Sequence, residues 1–128
     1  MTYTNSYLIQ EQASSGTNNY YIPVGDLCEL TEVRIIAGTT STAHNDNHVI
    51  ITIKGANGTT ALATRSTDAN GGGSTLTAGT LENLGIADAS QAVFTSAQKI
   101  HVESVQAGSG VAVNATLCFV FKSARLQS

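Results

Sequence analysis

From Val111 to Lys122 the chain reads VAVNATLCFVFK. Val111, Val113, Ala115, Leu117, Phe119 and Phe121 share one parity; Ala112, Asn114, Thr116, Cys118 and Lys122 share the other. Alternate side chains of an extended chain point to opposite faces, so this pattern predicts a long, half-buried strand. Gln98 to Val105 (QKIHVESV) repeats it, with Ile100 and Val102 set against His101 and Glu103. The intervening QAGSG predicts a hairpin between the two. His48 to Lys54 (HVIITIK) carries Val49, Ile51 and Ile53 on one face. Asn57-Gly58 then predicts a type I′ turn, which needs positive φ twice, into a strand from Thr60 to Arg65.

Other segments alternate less cleanly. Leu27 to Ala37 places Cys28 and Leu30 on one parity and Val33, Ile35 and Ala37 on the other. The phase slips near Thr31 and Glu32, as a bulge requires. Tyr20 to Val24 is extended, and Pro23 makes it an edge or a strand entrance. Tyr3 to Gln10 alternates without a cleanly apolar face. Ser66 to Ser74 (STDANGGGS) reads as a flexible loop, and its glycines do not open a helix as a phosphate-binding loop would. Thr80 to Asp88 predicts a single helical turn, capped by Thr80 and ended by Gly85. Seven to nine short strands joined by Gly and Asn turns predict an all-β fold. The expected architecture is an antiparallel, jelly-roll-like β-sandwich with an extended N-terminal arm; a closed barrel is the alternative. Residues 1–19 form the arm or first strand, and residues 20–128 a single sandwich domain.

Composition narrows the function classes. The chain has 128 residues, a net charge of −3 and 12% charged residues. Six Lys and Arg spread without a basic run lack the electrostatic footprint of a nucleic-acid binder. No apolar run approaches the roughly 20 residues of a membrane helix, and the sequence MTYTNSYLIQEQ has no secretory pattern. Two cysteines are too few for a disulfide framework. A surface of Thr, Ser and Asn rather than charge suits a protein packed against others.

The candidate chemistry is sparse. His44, Asp46 and His48 alternate within HNDNH and are the one candidate metal set, since three such groups on one face are what zinc needs. Asn45, Asp46 and Asn47 are equally the residues of a turn, and the turn reading is preferred, with no cofactor expected. No G-x-S-x-G elbow is present, and His101 beside Glu103 reads as a solvated or interface pair, so no enzyme activity is expected. Cys28 and Cys118 read as isolated thiols. Asn57 and Asn114 match glycosylation sequons, but Asn57 is explained by its turn. Tyr3, Tyr7, Tyr20 and Tyr21 all lie early in the chain. With Ile9 they form the candidate interface, because tyrosine suits a half-wet contact.

Three stretches carry a family resemblance: IPVGDLCELTEVRIIAG, HVIITIKGANGT and FTSAQKIHVESVQAGSGVAVNATLCFVFK. Together they resemble small β-sandwich head proteins of tailed bacteriophages, especially capsid decoration (cement) proteins. The matching positions are Ile22, Pro23 and Leu30 to Val33, then Ile51 to Lys54, Phe94 to Val102, and Ala115 to Phe121. Ala97-Gln98 stands where the family pattern has Gly-Asp. The resemblance implies a subunit without an active site, often a homotrimer, bound to the major capsid protein on the virion exterior. It would be made in the host bacterial cytoplasm, with no nucleic-acid or membrane partner, and its N-terminal arm would reach a neighbouring subunit. The alternative is a glycan- or receptor-binding module of a head fibre or tail, marked by exposed Tyr beside Asn and Asp.

Overall fold

The computed structural model describes residues 2–123. It is a sandwich of two antiparallel sheets. Its strands are β1 (Thr2–Glu11), β2 (Gly16–Pro23), β3 (Cys28–Ala37), β4 (His48–Lys54), β5 (Ala61–Ser66), β6 (Leu81–Asn83), β7 (Val93–Phe94), β8 (Lys99–Ala107) and β9 (Val113–Ser123). Sheet I has the order β1-β9-β3-β6, with β7 also paired to β3; sheet II has the order β2-β8-β4-β5. The boundary expected at residues 19 and 20 falls inside β2, and residues 2–11 pair along β9 as a full member of sheet I. Within the N-terminal segment, residues 2–11 are therefore the first strand of sheet I.

The inward parity of each long strand builds the core. Val113, Ala115, Leu117, Phe119 and Phe121 of β9 are buried, as are Cys28, Leu30, Val33, Ile35 and Ala37 of β3. They face Val49, Ile51 and Ile53 of β4 and Ile100 and Val102 of β8. Burying one such side chain contributes roughly 1.5–3 kcal/mol. The β3 phase slip is a register shift between Leu30 and Glu32, which returns Val33 to the inner face after the extra residue.

Three local expectations are corrected. β8 and β9 do not pair: they lie in different sheets, and the turn between them is an arch across the sandwich. Gly108 and Gly110, at φ +63° and +74°, swing the chain over, so the apolar faces of both strands meet in one core. The expected helical turn after Thr80 is instead β6, whose Leu81, Glu82 and Asn83 pair with Ile36, Ile35 and Arg34. A 3-10 turn occurs later, at Ala89–Ala92, where the Asp88 carboxylate accepts from the Ser90 N–H. The Ser90 hydroxyl, which donates to the same carboxylate, is the main cause that holds the Asp88 carboxyl below its ordinary value. The β4–β5 hairpin is present, but only Gly58 has positive φ. Asn57 contributes through its side chain, whose Oδ1 accepts from the N–H groups of Thr59 and Thr60, so the turn is not type I′.

The glycine run is also more structured than expected. The N–H groups of Gly71 and Gly73 both donate to the Asp68 carbonyl. Arg65, buried beneath this loop, donates to the carbonyls of Ser66, Ser74 and Thr75. It also forms a two-pronged pair with Glu82 across the sandwich, with 2.7 and 3.2 Å bonds to the two carboxylate oxygens. This pair clamps the β5 edge of sheet II to the β6 edge of sheet I.

Candidate interaction surface

The edge opposite that clamp is built by β1 and β2, the outer strands of sheets I and II. Three of the five candidate interface residues, Tyr3, Tyr7 and Tyr20, gather here. Tyr7 and Tyr20 point inward from facing strands and pack at 5.5 Å between ring centroids. The Tyr20 hydroxyl donates to the Glu11 carboxylate, which also accepts from Ser104 Oγ at 2.9 Å and Gln106 Nε2 at 2.8 Å. Three donors on one carboxylate satisfy a charge carried into the end of the sandwich. Burial first, and the Glu11 carboxylate second, push the Tyr20 hydroxyl well above its ordinary value.

Tyr3 lies further along the same edge. Its ring stacks on Phe121 at 5.2 Å, and the residue is 38% exposed. Burial and the neighbouring Cys28 thiol raise its hydroxyl to about 12. Ile9 is fully buried and belongs to the chain's own core, so it is not surface that a partner reaches without opening the fold. Tyr21 takes the other parity and leaves the corner for the outer face of sheet II. There it is 53% exposed, stacks on His101 at 4.7 Å, and has the Lys99 ammonium 5.7 Å from its ring centre. Asn57, Gly58, Gln98 and Lys99 complete a hollow of about 270 Å³ beside it.

The HNDNH residues do not converge on one point. His44 Nδ1 accepts from the backbone N–H groups of Asp46 and Asn47 at 3.0 and 2.9 Å, so the ring nitrogen that would serve as a ligand closes the turn instead. His48 begins β4, and its Nδ1 lies 3.7 Å from Asp68 rather than beside Asp46. No group of three or more His, Cys, Asp or Glu is placed to hold a metal ion among the described residues. His101 bonds Asn19 at 2.8 Å, while Glu103 pairs with Lys54 at 3.5 Å, so the two are not joined as a dyad. Cys28 and Cys118 are free thiols on opposite faces of sheet I. Burial pushes the Cys28 thiol up.

Sequence reasoning missed the Glu11 network and the Arg65–Glu82 clamp. The available signal for each was a lone charge at an inward parity, Glu11 at the end of β1 and Arg65 in β5. A charge at such a position must find a partner across the sheets.

No protein-family model matches the sequence, and no curated protein matches it. Among solved structures, the chain is similar to infectious bursal disease virus Gt strain, at 17% identity over 94% of this chain and 31% of that one, with a TM-score of 0.38. It is similar to tobacco necrosis virus at 10% identity, over 100% of this chain and 97% of that one, with a TM-score of 0.44. It is also similar to the Yersinia pseudotuberculosis-derived mitogen at 7% identity, over 100% and 92%, with a TM-score of 0.42. The chain spans about a third of the length of the bursal disease virus chains it matches.

Proposed function

We propose that this chain is a structural virion protein, a capsid decoration (cement) subunit of a tailed bacteriophage head. On this reading it binds the outer surface of the major capsid lattice and stabilises it, without a cofactor or chemistry of its own. The observation that carries the reading is the open edge of β1. Exposed sheet edges are ordinarily blunted by short length, Lys, Pro or a bulge. β6 has three residues, β2 ends in Pro23, and β5 pairs with a register shift. β1 runs ten residues, TYTNSYLIQE, with no Lys, Arg or Pro and with unbroken register on β9. Such an edge offers a row of main-chain donors and acceptors to a neighbouring strand, and the Tyr3 side chain stands beside it. Modest contacts of this kind are effective when a lattice repeats them.

The test uses empty heads assembled from the major capsid protein of the same genome, with and without the purified chain. Co-sedimentation at a fixed copy number and increased resistance of the heads to heat are expected. A chain that never co-sediments refutes the reading. Tyr21 favours a second reading, a glycan- or receptor-binding module, because its exposed ring borders a polar hollow lined by Asn57 and Gln98. That reading requires glycan-array binding that Tyr21→Ala removes, and a flat array ends it.

A further inference from the structure

The pairing registers bring together residues that are far apart in sequence. Leu8 of β1 lies opposite Thr116 of β9, Thr116 opposite Ile36 of β3, and Ile36 opposite Leu81 of β6. All four side chains point away from the core. Leu8, Ile36 and Leu81 are 51%, 38% and 58% exposed, three of the six large exposed apolar residues among those described. They form one row across the whole outer face of sheet I, roughly 14 Å long at strand spacings of ~4.8 Å. Cross-strand neighbours this close act as a continuous surface, and an exposed apolar row of this kind marks a contact.

We infer that the outer face of sheet I is where this chain packs against a second copy of itself, as a two-fold dimer. Three observations select that occupant. First, the row complements itself: laid on its own two-fold mate, Leu8 meets Leu81, apolar on apolar, and Thr116 meets Ile36 at the centre. Second, the charges on this face cancel. Arg34 pairs with Glu32 and Lys122 with Glu29, although the whole chain carries −3, so two copies meet here without net repulsion. Third, the area suffices. The strands β1, β9 and β3, of ten or eleven residues, and the three-residue β6 together cover roughly 500 Å² per copy, or about 1,000 Å² over both copies, the size at which specific interfaces begin. The inference rests on the decoration reading for the role of the β1 edge, which it leaves free for the lattice, and it assigns a dimer in place of the homotrimer that the family resemblance implies.

Sedimentation velocity of the free, full chain over a concentration series tests it. The parent is expected at twice the 13.2 kDa chain mass. Thr116→Lys, at the centre of the row, and Leu81→Lys, at its exposed end, are expected to weaken association at least ~10-fold, since each places an unpaired charge in the contact. Thr64→Lys adds the same charge to the outer face of sheet II and is expected to remain dimeric. Circular dichroism confirms folding, and Leu81 is exposed enough for its variant to fold if Thr116→Lys does not. A monomeric parent, a trimer, or a dimer indifferent to both row variants overturns the inference. Head binding is scored separately by co-sedimentation. A monomer that still decorates heads overturns only the dimer, a dimer that never decorates heads overturns only the decoration reading, and a monomer that loses head binding with Leu81→Lys assigns this face to the lattice instead.

Discussion

Removing the Glu82 carboxylate isolates the clamp that closes the sandwich at its β5–β6 edge. The Arg65 side chain is 9% exposed and that of Glu82 28%. Glu82→Ala deletes both carboxylate bonds and leaves the guanidinium with the Ser66, Ser74 and Thr75 carbonyls alone. Stranding one partner of a fully buried ion pair costs about 3–5 kcal/mol. Here the carbonyls remain bonded and water reaches the Glu82 side, so the low end, about 3 kcal/mol, applies. For a chain of this length that lowers the thermal midpoint by roughly 10 °C. The single substitution Arg65→Met and the double Arg65→Met with Glu82→Ala complete a cycle, which is expected to give a coupling of about 2 kcal/mol. Urea unfolding followed by circular dichroism, at one fixed protein concentration, reads all four proteins. A Glu82→Ala cost below about 0.5 kcal/mol would mean the pair is solvated in practice and would refute its role as a clamp.

Ile9→Ala is expected to cost about 2–4 kcal/mol in the same urea assay, because Ile9 fills the chain's own core; an unchanged midpoint would return it to the interface. Gly73→Ala and Gly72→Ala separate two glycine roles. A Cβ at Gly73 would meet the Ser66 carbonyl oxygen at 2.6 Å and the Asp68 nitrogen at 2.7 Å, so about 3 kcal/mol is expected. Gly72, at φ +83° with open space around it, is expected to lose only about 1–2 kcal/mol, and equal losses would count against the packed loop. Tyr20 gives a pH dependence. Its folded value lies above the ordinary 10.0, so its contribution is complete below pH 10 and lost as pH rises beyond it. Tyr20→Phe is expected to flatten that alkaline fall in stability, and an unchanged slope between neutral and alkaline urea midpoints would contradict it.

Alternation identified the strands well because it reports burial, and burial is what β9, β8, β4 and β3 share. The same property made pairing illegible. Ile100 and Val102 face the core and so do Val113 and Ala115, which is equally true of two strands in one hairpin or of two strands facing each other across the sandwich. Only Gly108 and Gly110 distinguish the cases, through a turn conformation that composition does not specify. The segment after Thr80 failed for a related reason. Three residues are too few to show a period of two, and β6 exists because Ile36, Ile35 and Arg34 of β3 offer it a partner, which is a tertiary cause. At Asn57 the local signal was sound but its mechanism was misassigned, since side-chain capping by Asn satisfies the turn without a second positive φ.

The candidate surface was legible only where residue type alone determined it. Tyrosine marks a half-wet position, and Tyr3, Tyr7 and Tyr20 do line the open β1–β2 edge. Parity then separates neighbours that composition groups together. Ile9 turns into the core and Leu8 out of it, although both are aliphatic and adjacent. Leu8, Ile36 and Leu81 each read in isolation as an unremarkable exposed apolar residue, which is a normal feature of protein surfaces. They become a surface only when the registers of β1 on β9, β9 on β3 and β3 on β6 place them in one row. A shift of one residue in any of those pairings would send that strand's side chain to the other face. The inner face fixes these registers, because Phe119, Leu117 and Ile35 must stay buried. The outer row is therefore held in place by the core, and a partner that reads it is reading the packing of the sandwich beneath.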